Sequence, residues 1–205
     1  MAPKKYKEIE PKRMAQEVQV FDGFLTDAEC DHIIALADSK MAPSSVVDGA
    51  TGESVANPVR TSYNTFLAKN SDQVIADVDA RCSQLTGIPE ENAEHLQVIR
   101  YKEGQKYEPH YDSFDPNEPG SKVTLARGGQ RTTTVLLYLC DVEEGGETVF
   151  PHKNAQVTPK KGRAVLFKST YPDGTLDPDA LHGSNPVIKG IKYAANKWYR
   201  EGQFE

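Results

Sequence analysis

The half of the chain that follows Pro89 is divided into short segments with the composition of β-strands. Val, Ile, Thr and Tyr dominate these segments, and Gly or Pro separates each one from the next. Side chains of these types fit a pleated, half-buried surface, and Gly and Pro mark turns. We therefore expect roughly seven or eight strands, which limits the fold to a β-sandwich or a jelly roll.

Two amphipathic segments precede these strands. The segment 25–41 has an apolar stripe with helical spacing, and Thr26 or Asp27 can cap its start. The segment 71–87 has a second stripe, which begins at a serine and stops at a glycine. The order of elements predicts an α+β fold, mainly β, in which the helices pack on one sheet.

The chain shows neither an internal repeat nor a composition break that would separate two domains. We expect residues 18–205 to form a single domain and the basic residues 1–17 to form a flexible tail. Two further strands are predicted before the β-rich half, at 18–24 and 60–68, because both stretches alternate or carry β-branched and aromatic residues.

Two polar segments interrupt this pattern. Residues 43–60 and 113–130 are rich in Gly, Ser, Pro and charged side chains. Long loops in compact domains are commonly binding loops or lids. We therefore expect both segments to be mobile loops that can close over a ligand.

Composition excludes several classes of protein. A net charge of −6 argues against nucleic-acid binding, and the absence of an apolar window of about 18 residues predicts no membrane span. The three cysteines are too few and too scattered for a disulfide framework, so we expect buried, reduced thiols. Reduced thiols favour a cytoplasmic location, with a secretory lumen as the alternative. Without an apolar heptad repeat we expect a monomer.

A histidine and an aspartate lie two residues apart in a strand-like run. On a strand, His110 and Asp112 point to the same face, about 7 Å apart along the backbone. The two side chains can converge on one metal ion, although the spacing alone fits an ordinary strand edge equally well. Tyr107 belongs on the opposite face unless Pro109 bends the strand.

A distant histidine can complete the metal site. His182 opens a late strand-like run, and a set of two histidines and one carboxylate leaves three positions of a ferrous ion open. Lys192 follows ten positions later within an apolar strand, where an unpaired ammonium is costly. An anionic cosubstrate would supply the missing partner. We interpret His32, His95 and His152 as structural.

These residues and their surroundings resemble the 2-oxoglutarate- and Fe(II)-dependent dioxygenases of the prolyl 4-hydroxylase type. The resemblance covers about residues 18–202 and implies a double-stranded β-helix, or jelly roll, as the core. The segments that carry it are 24–34, 60–69, 96–114, 128–139, 143–151, 160–167 and 181–200.

The resemblance implies a role for each matching residue. Three side chains would bind Fe(II): His110, Asp112 and His182. Lys192, the fourth residue predicted to be catalytic, would pair with the distal carboxylate of 2-oxoglutarate, and Tyr101 and Thr148 would donate hydrogen bonds to it. Four residues would bind the peptide substrate: Arg60, Tyr107, Arg131 and Trp198. Tyr193 and Arg200 depart from the family pattern, and we expect both at the rim of the cleft.

The implied activity is 4-hydroxylation of prolyl residues in a proline-rich or collagen-like peptide or protein. The reaction would consume O2 and 2-oxoglutarate, release succinate and CO2, and use ascorbate as reductant. One alternative keeps this chemistry and changes the substrate to free proline, a lysyl residue or another small molecule. A second alternative is a non-catalytic jelly-roll module that holds a metal or a peptide.

Overall fold

The computed structural model describes residues 7–8 and 18–205. Of the expected tail, only strand β1 is described, and the rest of residues 1–17 lies outside the described residues. The described chain is mostly β. Its strands are β1 (Lys7–Glu8), β2 (Val18–Phe21), β3 (Ala42–Pro43), β4 (Val46–Val47), β5 (Ser54–Val55), β6 (Tyr63–Leu67), β7 (Leu96–Tyr101), β8 (Tyr107–His110), β9 (Arg131–Tyr138), β10 (Glu144–Gly145), β11 (Thr148–Phe150), β12 (Ala155–Val157), β13 (Ala164–Lys168), β14 (His182–Ser184), β15 (Val187–Lys189) and β16 (Lys192–Arg200).

Capping residues set the ends of the two long helices. Thr26, one of the two predicted caps, forms a reciprocal capping box with Glu29. In the second helix the cap is Asp72, whose carboxylate accepts a hydrogen bond from the Ile75 amide at 2.9 Å, and the helix ends at Gly87 with φ = 70°. Both helices are therefore shorter than predicted. The helices are α1 (Asp27–Asp38), α2 (Gln73–Thr86) and α3 (Ser121–Leu125), and two 3₁₀ turns lie at Glu90–Asn92 and Pro178–Ala180.

The larger sheet has seven antiparallel strands in the order β2-β13-β9-β16-β7-β6-β3. One of its faces shares a core cluster with both long helices. Cys30 and Ile33 of α1 and Ile75 of α2 are fully buried in this cluster with Val98 and Leu137 of the sheet. Burial of these side chains provides the hydrophobic stabilisation that holds the helices on the sheet.

The smaller sheet has five strands in the order β1-β12-β11-β14-β8. It lies against the other face of the larger sheet, and the two share a second core cluster. In that cluster Tyr138 and Ala194 of the larger sheet pack with Phe150 and Val157 of the smaller one. Two sheets facing each other around one core form the predicted jelly roll, and the prediction of a mainly β fold is confirmed.

The two segments predicted to be loops contain regular structure and contact each other. Residues 43–60 include the end of β3 and the β4–β5 hairpin, and residues 113–130 include α3, so both predicted loops contain short regular elements. Their closure over a ligand stays a prediction. The Gly120 amide donates a hydrogen bond to the Gly49 carbonyl at 2.8 Å. A Cβ atom on Gly120 would lie only 2.2 Å from the Gly52 nitrogen, so this approach requires glycine.

The cysteines agree with the predicted reduced state. Cys30 and Cys82 are buried free thiols, and Cys140 is a partly buried one. Burial raises the pKa of Cys82 to about 12 and that of Cys30 to about 11, so both stay protonated at neutral pH. Among the described residues, no helix has the length and apolar character needed to cross a membrane.

Candidate active site

Three predicted metal ligands come together between the sheets. His110 at the end of β8 pairs directly with His182 at the start of β14, and Asp112 follows two residues after His110. Asp112 Oδ1 lies 3.8 Å from His110 Nε2, and Asp112 Oδ2 lies 3.6 Å from His182 Nε2. One ligand atom of each residue lies within 4.8 Å of the other two. A cluster of this size and donor chemistry could hold a single metal ion.

Hydrogen bonds fix the orientation of each ligand. His110 Nδ1 lies 2.9 Å from the Glu108 carbonyl, and His182 Nδ1 lies 2.9 Å from the Ala180 carbonyl. A carbonyl only accepts, so each Nδ1 carries the proton and each Nε2 presents a lone pair to the centre. Thr134 on β9 donates to Asp112 Oδ2 at 2.7 Å. Such contacts set the tautomer and orientation of metal ligands.

The protonation states of the site suit a metal ion. Burial, reinforced by the neighbouring His182, lowers the pKa of His110 to about 3, so its imidazole is neutral at physiological pH. Burial opposes ionisation of Asp112, but the two imidazoles, Arg131 and the Thr134 hydroxyl outweigh it and lower the pKa of that carboxyl. The donor set is therefore two imidazoles and a carboxylate, which is the set that non-haem Fe(II) oxygenases use. The residues present fit the ferrous ion that the resemblance implies.

Tyr107 lies on the same side as His110 because the strand is irregular. His110 pairs with His182 and Tyr107 pairs with Ser184, so β8 advances three residues where β14 advances two. The extra residue of β8 lies in the segment that contains Pro109. The Tyr107 ring stacks on the His110 imidazole, with 3.6 Å between centroids and 16° between planes. The expectation that Pro109 can bend this strand is met, and Tyr107 thereby covers one face of a metal ligand.

Lys192 supplies a buried charge beside the metal site. The residue is 2% exposed, and its Nζ donates to the Gly146 carbonyl and to Ser184 Oγ, both at 2.8 Å. No carboxylate lies within ion-pair distance of this ammonium among the residues described by the structure. Burial lowers its pKa from 10.5 to about 7, and Glu147 only partly opposes this shift. A carboxylate of a bound dicarboxylic acid would supply the anion that this buried cation lacks.

Polar groups from both sheets surround this ammonium. Lys192 pairs in register with Tyr101 on the larger sheet, and Thr148 pairs with Ser184 on the smaller sheet. All four residues line one cavity that also reaches His110 and His182. Tyr138 donates to Thr148 Oγ1 at 2.7 Å and thereby orients it. The ammonium also lies 5.1 Å from the Tyr101 ring centroid. One cation and the hydroxyls of Thr148 and Ser184 fit the distal carboxylate of 2-oxoglutarate.

An open groove of about 1180 Å³ runs past the other side of the metal ligands. All four predicted peptide-binding residues line it: Arg60, Tyr107, Arg131 and Trp198. Arg60 is buried, lies 4.8 Å from the Tyr107 ring centroid and donates to Gln97 Oε1 at 3.3 Å. The hairpin β4–β5 and the segment before α3 line the same groove. Its volume exceeds the usual range of about 300–1,000 Å³ for small-molecule sites.

Arg131 is held in place by an acid that sequence reasoning did not single out. Glu94 accepts hydrogen bonds from Arg131 at 2.6 and 2.9 Å and from Arg200 at 2.6 Å. The Arg131 guanidinium lies 3.7 Å from the Trp198 ring centroid, which favours a cation–π contact. Arg131 Nη1 also approaches the Asp112 carbonyl at 3.5 Å. Glu94 thus fixes a cation that touches both the groove and a metal ligand.

The two departures from the family pattern lie away from the groove rim, contrary to expectation. Tyr193 faces the helices, and its hydroxyl donates to Asp38 at 2.6 Å. Arg200 is buried, bonded to Glu94 and to the Gly129 carbonyl. Neither side chain lines the groove. Tyr193 points to the helices, as the other odd-numbered residues of β16 do, and Arg200 is held by Glu94 and by the Gly129 carbonyl.

The remaining histidines are not metal ligands in the described structure. His32 is paired with Asp72 at 2.7 Å on the surface between the two helices. His95 accepts a hydrogen bond from the Lys69 amide, and exposed His152 contacts the Pro178 carbonyl. These positions agree with their interpretation as structural residues.

Comparisons with known proteins agree with this site. Residues 96–200 match the model of the 2OG-Fe(II) oxygenase superfamily. Prolyl 4-hydroxylase 2 of Arabidopsis thaliana is 42% identical over 224 residues, covering 99% of this chain and 72% of the relative. Prolyl 4-hydroxylase 5 of the same plant is 45% identical over 205 residues, covering 91% and 69%.

A solved structure is similar over nearly its whole length. It is the viral collagen prolyl hydroxylase of Paramecium Bursaria Chlorella virus-1 in complex with 2OG. The two chains share 32% identity with a TM-score of 0.70, over 89% of this chain and 95% of the other. This chain therefore belongs to the 2OG-Fe(II) oxygenase superfamily and, within it, is a prolyl 4-hydroxylase catalytic domain.

Proposed function

We propose that this chain hydroxylates C4 of prolyl residues in an extended, proline-rich peptide or protein. One arrangement carries this proposal: the metal ligands lie where a small cavity, lined by the buried Lys192, meets a much larger groove. The buried ammonium in the small cavity suits a carboxylate of a small cosubstrate, and the large groove suits a longer chain. When bound, Fe(II) would supply the oxidising chemistry: 2-oxoglutarate, O2 and the prolyl C4–H would give succinate, CO2 and 4-hydroxyproline, with one oxygen atom of O2 in succinate and the other in the new hydroxyl.

In this proposal the protein orients both reactants around three ligands: His110, Asp112 and His182. Backbone carbonyls and Thr134 hold these ligands ready before the metal arrives. Lys192, helped by Tyr101, Thr148 and Ser184, binds the far carboxylate of 2-oxoglutarate and so directs its other end towards the metal ligands. The protein's contribution is orientation, charge pairing and exclusion of water.

The groove favours a peptide over a free amino acid. Its volume of about 1180 Å³ is larger than that of a typical small-molecule site. Tyr107 and Trp198 provide apolar surfaces of the kind that bind polyproline II segments. Arg60 and Arg131 provide cations that can contact backbone carbonyls. The viral relative is named as a collagen prolyl hydroxylase, which supports a proline-rich substrate here without choosing between Gly-X-Y and Ser-Pro repeats.

Mass spectrometry tests this proposal directly. The protein is incubated with Fe(II), 2-oxoglutarate and ascorbate, together with (Pro-Pro-Gly)5, (Ser-Pro)5 or free proline. We expect a mass gain of one oxygen atom, assigned to 4-hydroxyproline, on at least one peptide and not on free proline. Oxidation of free proline alone would contradict the peptide proposal. Metal binding without succinate formation would instead indicate a non-catalytic module.

A further inference from the structure

Asn196 occupies a position that no predicted role explains. Of the described residues, three line both the small cavity and the large groove: His110, Tyr107 and Asn196. The first is a metal ligand and the second stacks on it. Asn196 comes from the opposite sheet, where it pairs in register with Gln97 on β7 and Leu136 on β9. It therefore marks the junction at which cosubstrate and peptide must meet.

The register of β16 places Asn196 between the small cavity and the groove. The even-numbered residues Lys192, Ala194, Asn196 and Trp198 face the interior between the sheets, with Lys192 in the small cavity and Trp198 in the groove. Trp198 pairs with Thr134, the residue that holds Asp112. Asn196 lies between these two levels, two residues from Trp198. It is thus beside the place where the reacting carbon of a peptide has to lie.

The Asn196 carboxamide is polar and unpaired. It is half-buried, and no hydrogen bond from its side chain to any residue in 7–8 or 18–205 is present. Its neighbour Gln97 is already engaged with Arg60 at 3.3 Å, and Asn64 nearby donates to Ser44 at 2.7 Å. A half-buried amide without partners at a binding site is available to a ligand.

The chemistry of a proline-rich chain identifies that ligand. A polyproline II segment has no internal hydrogen bonds, and each proline lacks an N–H group. Such a chain offers carbonyl acceptors and needs donors from the protein. We propose that Asn196 Nδ2 donates a hydrogen bond to a backbone carbonyl at or next to the target proline and so positions its ring. This inference rests on the proposed function and makes Asn196 a substrate-positioning residue.

The experiment compares Asn196→Leu, which keeps the volume and removes the donor, with Asn196→Thr, which restores a donor. Peptide binding is measured by calorimetry with (Ser-Pro)5 and (Pro-Pro-Gly)5 on protein loaded with Fe(II) and 2-oxoglutarate under nitrogen. We expect Asn196→Leu to weaken binding roughly two- to tenfold and Asn196→Thr to recover part of the loss. Tyr193→Phe, on the opposite face of the same strand, serves as the control and should leave binding unchanged.

The ratio of succinate to hydroxyproline formed during turnover distinguishes substrate positioning from a purely structural role of Asn196. With the target ring poorly held, Asn196→Leu should release more succinate per hydroxyproline than the wild type, with an unchanged KM for 2-oxoglutarate. A raised KM for 2-oxoglutarate with unchanged peptide binding would overturn the inference and assign the amide to the cosubstrate. Equal peptide binding and equal coupling in both proteins would overturn it as well. Wild-type protein that binds neither peptide would instead refute the proposed function, and the inference with it.

Discussion

The Thr134 hydroxyl donates a hydrogen bond to Asp112 Oδ2 at 2.7 Å, across 22 residues of sequence. Thr134 lies on the larger sheet, and Asp112 follows β8, the edge strand of the smaller sheet. The bond therefore links the two sheets at the metal site. Because the donor is buried and rigidly placed on β9, the carboxylate is held in one orientation before metal binding. The bond thereby couples the jelly-roll core to the metal site.

Replacing Thr134 by Val removes this bond and keeps the shape of the side chain. We expect the affinity for Fe(II) to fall about tenfold or more, as is typical when an outer partner of a metal ligand is lost. Titration with Fe(II) under nitrogen measures the change. Thr133→Val makes the same chemical change on the opposite face of β9, where the paired residue is Tyr199, and should leave metal affinity unchanged. Equal affinities for Thr134→Val and wild type would contradict the role of Thr134.

Replacing His182 by Ala should abolish metal binding and turnover together. The substitution leaves one imidazole and one carboxylate, which is too few ligands to hold a ferrous ion firmly. Metal content after dialysis and succinate formation are the two measurements. His95→Ala removes an exposed histidine whose ring accepts a hydrogen bond from the Lys69 amide and lies edge-on to Phe204, and it should keep both properties. Retention of stoichiometric metal by His182→Ala would show that another residue completes the site.

The sequence was sufficient to predict which side chains come together at the candidate site. His110, Asp112, His182 and Lys192 could be assigned because rare residue types recur at the family's spacing, and the structure brings them together. The two long helices could also be placed, because their apolar stripes have helical spacing. Their ends were less accurate, since the choice of Asp72 over a neighbouring serine as a cap depends on local backbone angles.

Residues that act through strand register could not be predicted. Thr134, Ser184 and Glu94 lie in segments whose composition marks only strands or turns, and their contacts depend on which strands pair and in what register. Tyr107 shows the same limit, because a one-residue irregularity decides its face. Asn196 is a further case, since its significance appears only when two cavities are seen to meet at one side chain.

Replacing Lys192 by Met should chiefly weaken 2-oxoglutarate binding. The substitution removes the ammonium and keeps a similar buried volume, and the loss of a buried charge partner typically costs at least about 30-fold in affinity. The KM for 2-oxoglutarate is the measurement. The protein without cosubstrate should be no less stable to heat, because it loses a buried cation without an anionic partner. Lys189→Met, which removes an exposed lysine paired with Glu143, is the control. An unchanged KM in Lys192→Met would refute the carboxylate assignment.

The pKa of Lys192 predicts that cosubstrate binding depends on pH. Burial lowers this pKa from 10.5 to about 7, so above pH 7 the free protein has largely lost the proton that a carboxylate needs. Binding must then take up a proton, and the affinity should fall by up to about tenfold per pH unit above 7. Calorimetry in buffers of different ionisation enthalpy measures the proton uptake. Lys192→Arg, which stays charged, should show a flatter profile, and a flat wild-type profile would contradict the shift.

The same shift predicts how stability without cosubstrate varies with pH. Between pH 7 and 10.5 the unfolded chain holds the Lys192 proton and the folded chain does not. The unfolded state therefore binds more protons in this window, and the contribution of Lys192 to the free energy of unfolding rises with pH. Denaturant titrations of wild type and Lys192→Met isolate this contribution as a difference. A difference that stays constant from pH 7 to 10 would argue that Lys192 keeps its proton when buried.

The contact between the β4–β5 hairpin and the start of α3 predicts a role for Gly120 in peptide binding. A Cβ atom at this position would lie 2.2 Å from the Gly52 nitrogen and 2.8 Å from the Gly49 carbonyl oxygen. Because both are backbone atoms, Gly120→Ala must move the hairpin away from α3 and open one side of the groove. We expect a severalfold higher KM for (Ser-Pro)5 or (Pro-Pro-Gly)5 and an unchanged KM for 2-oxoglutarate. Gly202→Ala, whose nearest neighbour lies at 3.7 Å, is the matched control. An unchanged peptide KM in Gly120→Ala would show that the two segments need not touch for the substrate to bind.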